Sequence, residues 1–247
     1  MAEQILQRKT DDPVDAATLQ ADAGAVLDCI AGGGVAIVPL DVAYAVNAST
    51  SEGIKRIFDA KKRSYEKPSG MFANYKMSQA IHQMDDWKHK LVEEIIVNEN
   101  IPFSVVAPFD EKHAFFDNIE PFVLASSSKA GTLDMLLNAG QFHNEIARQS
   151  WERQMPVFGS SANTSLAGSK YTYEEIEDPV REAASIHFDY GQSKYANPEG
   201  RSSTIVDFRD FSVIRIGVIF DQVRAAFKKY GGVDLIINDR TAGHWND

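Results

Sequence analysis

Short β-rich runs and amphipathic helices follow one another irregularly along this chain, and this order constrains its fold more than any other feature. Apolar residues recur at helical spacing from Leu19 to Ile30. The triple glycine at 32–34 then favours a helix end, because glycine adopts left-handed geometry at little cost. A β-rich run at 35–38 follows and stops at Pro39. Since the later elements lack a strict βαβ alternation, the sequence predicts an α/β (α+β) domain with a mostly mixed sheet.

The remaining elements are predicted from the same periodicities. Helices are predicted from about residue 51 and over 78–98, 142–153, 171–184 and 219–229, and strands over 70–75, 103–109, 121–125 and 156–158, with a hairpin formed by 203–208 and 212–217.

The length of 247 residues suits one large domain better than two small ones. We expect a flexible N-terminal arm over 1–13, because this segment is polar and ends at Asp11-Asp12-Pro13. The domain itself is expected over 14–235, and a polar C-terminal tail over 236–247.

The charge balance excludes one class of function. The formal net charge is −10 at pH 7, whereas a broad, sequence-independent nucleic-acid binder needs many Lys and Arg to displace counterions. An acidic protein can still enclose one local basic pocket.

The numbers and spacing of cysteine and histidine residues limit which metal sites and disulfides the chain can form. Cys29 is the single cysteine, so neither a disulfide framework nor a cysteine-rich zinc site is expected. The histidines show no paired-ligand spacing, and no protein metal site is predicted. There is no apolar run of about 18 residues and no signal-peptide core, so we expect a cytoplasmic protein without membrane contact.

A local excess of positive charge is the first functional signal. Six Lys and Arg side chains lie between Lys55 and Lys67, against two acids, in the segment that ends KKRSYEKPSG. Such a run is commonly a solvated face. Pro68 and Gly70 also indicate a loop, in which cations can gather around an anion such as phosphate.

Two further segments carry small hydroxyl and amide side chains. GSSANTSLAG at 159–168 follows a predicted strand, where backbone and hydroxyl groups can approach phosphate or ribose oxygens, or simply cap a turn. GRSSTIVDF at 200–208 places an arginine and hydroxyls before a strand, as an ordinary surface loop also does.

Together and in order, these segments resemble the YrdC-like family of threonylcarbamoyl-AMP synthases, in its short, single-domain form. The resemblance covers about residues 18–220 and includes GGGVAIVPLDVAYAV, KKRSYEKPSG, SSANTS and GRSSTIVD, followed by Arg215 and Gly217. It implies a twisted, mostly mixed sheet with helices around a cationic cavity. It also implies synthesis of threonylcarbamoyl-adenylate and pyrophosphate from ATP with Mg²⁺, bicarbonate and L-threonine, for tRNA modification.

The resemblance also implies three sets of site residues. Matching positions are Lys61, Arg63 and Lys67 as catalytic cations for the triphosphate and the carboxylated substrate; Ser160, Ser161, Asn163, Arg201, Ser203 and Thr204 at the nucleotide; and Asp41, Tyr44, Ser104 and Arg215 at the amino-acid substrate.

The amino-acid end departs from the family pattern. The motif P-T-D-T-V-Y-G-L reads PLDVAYAV here, so Leu40 and Val42 replace both threonines and Ala45 replaces the glycine. The segment V-G-V-R-x-P falls around 132–138 and has no arginine. A site built to bind a substrate hydroxyl is sensitive to such losses.

Three hypotheses remain open from the sequence. The first is a threonylcarbamoyl-AMP synthase whose link to tRNA and tRNA-modification proteins runs through its product. The second is a divergent paralogue that adenylates a carbamate from another amine, or uses another carbamoyl donor. The third is a non-catalytic nucleotide- or RNA-binding protein, which the nucleotide residue set disfavours.

Overall fold

The computed structural model describes residues 5–9, 13–64 and 67–237. Within these ranges, eleven strands join in one sheet, and eight α-helices pack against it. The strands are β1 Ile5–Lys9, β2 Ala36–Val38, β3 Ala45–Ala48, β4 Gly70–Ala73, β5 Phe103–Pro108, β6 Ser128–Lys129, β7 Thr132–Leu137, β8 Phe158–Ser161, β9 Ile186–Asp189, β10 Ile205–Asp207 and β11 Ser212–Arg215. The helices are α1 Ala16–Ala31, α2 Ser51–Lys61, α3 Tyr75–Ile81, α4 Asp86–Glu93, α5 Pro121–Ala125, α6 Gln141–Glu152, α7 Asp178–Ala183 and α8 Phe220–Gly231, with a π-helical turn at Glu94–Asn98 and a 3₁₀ turn at Ala114–Phe116.

The sheet is mixed, as the sequence predicts. Its order is β1-β9-β2-β3-β8-β4-β7-β5-β10-β11, and β6 pairs with β7 beside this path. β4 and β7 are parallel, and so are β5 and β10. β5 and β7 are antiparallel, and β10 and β11 form the predicted antiparallel hairpin. The mixed α/β fold class is therefore confirmed.

The first helix shows how local sequence sets the boundaries. Asp15 caps α1, because its carboxylate accepts a hydrogen bond from the Thr18 backbone N–H at 2.9 Å. Gly32 ends the helix as predicted, and its N–H donates to the Asp28 carbonyl.

Two apolar clusters lie on opposite faces of the sheet, because successive strand residues point to opposite sides. Val46, Met71 and Val105 belong to the larger cluster, which also takes the buried faces of α2, α4 and α8. Ala45 and Phe72 belong to the smaller cluster, beneath α1 and α6. These two helices cover the part of their face that is formed by β9, β2, β3 and β4.

Two predicted elements are wrong. Residues 121–125 form helix α5 rather than a strand, because Pro121 occupies the first turn and the Ser126 N–H donates to the Phe122 carbonyl. A short apolar run does not by itself distinguish the two structures. The predicted helix over 171–184 is limited to α7, where Pro179 lies in the first turn instead of dividing a longer helix.

The expected N-terminal arm is partly a strand. Ile5–Lys9 pair in parallel with β9, while residues 1–4 and 10–12 of that prediction lie outside the described residues. Most of the predicted C-terminal tail, 238–247, lies outside them too. In the portion of the chain that the structure describes, no helix is both long and apolar enough to cross a membrane.

Candidate functional site

Polar side chains share the sheet face beside α1 and α6. Ser104 pairs with Leu136 across β5 and β7, so Ser104 and Asp134 point to the same side. Ser104 also pairs with Ile205 of β10. Ser104 is predicted at the substrate from the resemblance, whereas Asp134 is not predicted at all.

A β-bulge brings Arg215 to this face. Arg215 lies opposite Ile205, and the next pair along the hairpin joins Val206 to Val213. The extra residue, Ile214, changes the alternation of β11. Without it, Arg215 would point to the same side as Val213, into the larger apolar cluster.

Hydroxyl groups hold the Arg215 guanidinium in place. Its Nε donates to the Ser203 carbonyl and its Nη2 to the Ser203 hydroxyl, both at 2.9 Å. The hydroxyls of Ser203 and Ser104 lie 3.3 Å apart. Thr204 is fully buried, and its hydroxyl oxygen accepts from the Gly217 N–H. These contacts join the predicted segment 203–204 to Ser104 and Arg215.

Gly217 allows the close approach that this arrangement needs. A Cβ there would lie 2.2 Å from the Ser203 carbonyl carbon and 2.2 Å from the Thr204 nitrogen. Both are backbone atoms, so a side chain at 217 would separate β11 from the 203–204 segment.

Arg63 approaches the same place from the turn after α2. Lys62 ends α2 in the left-handed region, with φ of 50°. The Arg63 guanidinium donates to the Lys67 carbonyl at 3.2 Å and to the Pro68 carbonyl at 2.8 Å. Burial, with Arg215 nearby, lowers the pKa of Arg63 to about 10. Burial likewise lowers the pKa of Arg215.

Asp134 lies within range of the charges of both arginines. Burial raises the pKa of its carboxyl to about 6, although Arg215, the Ser104 hydroxyl and Arg63 all favour the charged form. A signal for it exists in the sequence. It is the one charged residue in the apolar run TLDMLL, within the segment that lacks the expected arginine.

Lys61 is buried and bonded inside the protein. It is 1% exposed, and its ammonium donates to the carbonyls of Ser161 and Asn163. Burial, with Arg63 nearby, lowers its pKa to about 7. In the structure Lys61 therefore holds the segment after β8 in position, and its role as a cation for the triphosphate stays a prediction.

The segment after β8 divides between the two faces. Ser161 lies at the end of the strand, and its hydroxyl is hydrogen-bonded to Asn163 Oδ1. Ser160 pairs with Val46, which belongs to the larger apolar cluster, so its side chain points to the opposite face. The Ser160 hydroxyl is buried there without a hydrogen-bond partner among the described residues. Only Ser161 and Asn163 of this predicted trio share the site side.

Two predicted cations remain at the rim. Arg201 is exposed, and its backbone is anchored by the Asn197 amide and the Tyr171 hydroxyl. Lys67 is partly buried, and its carbonyl holds Arg63. The Arg201 guanidinium and the Lys67 ammonium are both less enclosed by protein than the side chains of Arg215 and Lys61.

Asp41 and Tyr44 lie on the β2–β3 connection, and the Tyr44 carbonyl accepts a hydrogen bond from the Ala162 N–H, between Ser161 and Asn163. Asp41 lines a cavity of about 380 Å³ with Gly140 and residues 190–193. Burial raises the pKa of this carboxyl, and Lys194 opposes the rise. Gly140 has φ of +111°, and a Cβ there would lie 2.5 Å from Asp41 Oδ1.

Tyr44 presents no surface to a ligand. It is 0% exposed, and its hydroxyl lies 2.7 Å from two acceptors, Asp189 Oδ1 and the Gly191 carbonyl, which share its single proton. These contacts give Tyr44 a structural role, which joins β3 to the end of β9, and its substrate-binding role stays a prediction.

No three His, Cys, Asp or Glu side chains come together as a metal-binding group within the described ranges. The donor set near Arg63 and Arg215 instead consists of cations and hydroxyls, which suit anions.

A family model named for Sua5, YciO and YrdC, and described as telomere recombination, matches residues 28–217. That range contains every site residue described above. Among curated proteins, none matches the sequence.

Three solved structures are similar in fold. Sua5 of P. abyssi, complexed with L-threonine, has a TM-score of 0.69 at 15% identity, with 93% of this chain and 62% of that chain covered. A hypothetical protein of Streptococcus mutans has a TM-score of 0.73 at 18% identity, with 97% and 99% covered. YciO of E. coli has a TM-score of 0.61 at 15% identity, with 89% and 95% covered. This chain thus spans about three fifths of the Sua5 chain, and identities this low show the fold alone.

Proposed function

Because the chain belongs to the Sua5/YciO/YrdC family, we propose that it is a nucleotidyltransferase that forms a carbamoyl-adenylate. In the proposed reaction the threonine amine and bicarbonate form a carbamate with loss of water, and the carbamate then reacts with ATP to give threonylcarbamoyl-AMP and pyrophosphate. The product then serves tRNA threonylcarbamoyladenosine modification in the cytoplasm, so the tRNA link is indirect.

One observation carries this proposal. Ser203 fixes the Arg215 guanidinium on the sheet face that carries Ser104 and Asp134. Its charge acts on Arg63 and contributes to the lowered pKa of that residue, because like charges repel more strongly in a partly buried site than in water. Asp134 supplies one negative charge against these two positive ones. A site that keeps a surplus of buried cations is stabilised when an anionic ligand binds.

The remaining residues fit a nucleotide substrate at the same place. Lys67 and Arg201 at the rim offer a point charge and a planar fork to phosphate oxygens. Ser161 and Asn163, which are hydrogen-bonded to each other, add hydroxyl and amide groups to the proposed nucleotide site. Lys61 holds the backbone that carries these two residues.

The chemistry requires two anions to meet. A carbamate oxygen attacks the α-phosphorus of ATP, the new P–O bond forms, and the bond to the pyrophosphate leaving group breaks. Buried guanidiniums lower the repulsion between the two anions, and fixed positions lower the entropy cost. Mg²⁺ would arrive with ATP and neutralise phosphate charge.

The amine substrate has two candidates. The P. abyssi Sua5 structure contains L-threonine, which favours threonine here. Against this, Leu40 and Val42 are buried in the smaller apolar cluster, where the family motif has threonine hydroxyls. This favours a different amine, or another carbamoyl donor, as the second candidate.

The decisive experiment follows pyrophosphate release. The protein is incubated with ATP, Mg²⁺, labelled bicarbonate and a panel of amino acids. Release with L-threonine well above other amines supports the first candidate, and release with another amine or with carbamoyl phosphate supports the second. Absence of turnover with every donor, together with retained RNA or nucleotide binding, contradicts an enzyme and leaves a binding protein.

Matched variants test the site itself. We expect Arg63→Ala and Lys67→Ala to abolish ATP-dependent turnover while thermal unfolding remains cooperative. Lys62→Asn is the control, because Lys62 is adjacent and exposed, and asparagine tolerates its positive φ. Wild-type turnover in both alanine variants would overturn the assignment of this site.

A further inference from the structure

A buried carboxylate lies in the middle of the cationic site. Asp134 occupies β7, flanked by β4 on one side and β5 on the other. β4 presents Gly70 there, and a Cβ on Gly70 would lie 3.3 Å from Asp134 Oδ2. β5 presents the Ser104 hydroxyl on the same face. Because residue 70 is glycine, β4 places no side chain against this carboxylate.

Asp134 forms no ion pair with the described residues. Among the described residues, Arg215 and Arg63 act on Asp134 through their charge and not through a hydrogen bond, whereas the Ser104 hydroxyl acts through a hydrogen bond. Oδ1 is inaccessible to solvent and has no hydrogen-bond partner. The charged groups that face it are Arg63, from the turn after α2, and Arg215, from β11. Asp134, Arg63 and Arg215 are therefore neighbours that do not form an ion pair.

The charges in this space limit what it can hold. Two guanidiniums and one carboxylate leave one unbalanced positive charge. Burial strengthens both attraction and repulsion, so a ligand with a single negative charge balances the site. A dianion or polyphosphate bound near the two arginines would carry at least one negative charge that they do not balance. The nearby Asp134 carboxylate would repel that charge.

We propose that Asp134 is a specificity-determining residue that restricts the Arg63–Arg215 end of the site to a monoanionic group of the carboxylate or carbamate class. The polyphosphate of the nucleotide is then held at the rim, by Lys67 and Arg201. This assignment of the two anions rests on the proposed function, whereas the charge selectivity itself does not.

The first test compares inorganic anions of fixed charge. Sulfate is a dianion and nitrate a planar monoanion, and their affinities follow from the rise in melting temperature with anion concentration. We expect Asp134→Asn to raise the ratio of sulfate to nitrate affinity at least tenfold. Asp117→Asn removes an exposed carboxylate of equal charge, and its ratio should stay within twofold of wild type. An unchanged ratio in Asp134→Asn overturns the proposal.

The second test uses the wild-type chain and does not depend on a variant folding. Since the pKa of Asp134 is raised to about 6, lowering the pH from 8 to 5 neutralises this carboxylate. Lys61, whose pKa is lowered to about 7 near Arg63, also gains a proton over this range, and it does so in both proteins. Wild-type affinity for sulfate should therefore rise about tenfold more than that of a folded Asp134→Asn variant. Equal rises in the two proteins contradict the proposal.

Turnover separates this inference from the proposed function. Charge selectivity that depends on Asp134, without pyrophosphate release from any donor, supports the inference and contradicts the enzyme. Pyrophosphate release, together with a ratio of sulfate to nitrate affinity that does not depend on Asp134, supports the enzyme and contradicts the inference.

Discussion

Replacing Lys61 with methionine removes a buried amino group from two backbone carbonyls. The Lys61 nitrogen donates to Ser161 and Asn163, and methionine fills similar volume without a donor. Each net hydrogen bond contributes about 1 kcal/mol to stability. We therefore expect Lys61→Met to lower the free energy of unfolding by about 2 kcal/mol, near pH 8.5.

The loss should depend on pH in a defined direction. The pKa of Lys61 is lowered to about 7 in the folded protein, from 10.5. Between these values the unfolded chain keeps a proton that the folded chain releases, so folding is favoured as the pH rises. From pH 7 to 8.5 the stability of the wild type should therefore increase over that of Lys61→Met by about 1–2 kcal/mol.

Urea unfolding at 25 °C measures both quantities, with Lys62→Asn as the neighbouring control. Taking the difference between wild type and Lys61→Met at each pH cancels other titrating groups, such as Cys29, whose pKa is raised by burial. Hydrogen exchange at residues 161–165 should also accelerate in Lys61→Met. A variant as stable as Lys62→Asn at every pH would refute the positioning role of Lys61.

Two further substitutions test the packing around the site. Gly217→Ala forces a Cβ against the Ser203 and Thr204 backbone. We therefore expect the free energy of unfolding to fall by more than about 2 kcal/mol in chemical unfolding, and ATP binding to weaken in calorimetry. A wild-type melting curve would show that β11 does not contact this segment closely. Tyr44→Phe deletes a hydroxyl with two acceptors, so stability should fall by about 1–2 kcal/mol in urea unfolding, and an unchanged midpoint would contradict the structural role of Tyr44.

The departures from the family motif lie at buried positions of the fold. Ser203 and Thr204, from the segment that matches the family, are hydrogen-bonded to Arg215 and Gly217. Leu40 and Val42, by contrast, are part of an apolar cluster. A change of two hydroxyls to apolar side chains at buried positions strengthens packing and removes hydrogen-bonding groups, which is why the identity of the amine is the point to test first.

Local patterns were sufficient for most elements. The helices α1, α6 and α8 were predictable because apolar residues recur at helical spacing over three or more turns. The runs at 121–125 and 171–184 were not, since the first is short and the second contains proline. Strands β3 and β9 escaped prediction because they are brief and buried on both faces, without polar alternation.

The sequence by itself determined the family, the mixed fold and the concentration of positive charge at 55–67 in an acidic protein. Only the tertiary structure decided which cations meet. Strand pairing and a bulge at Ile214 turn Arg215 towards Asp134, while Lys61 is turned inward to backbone carbonyls. The physical reason is that spacing along a chain specifies the face of an element, whereas the neighbours across a sheet depend on register between strands far apart in sequence.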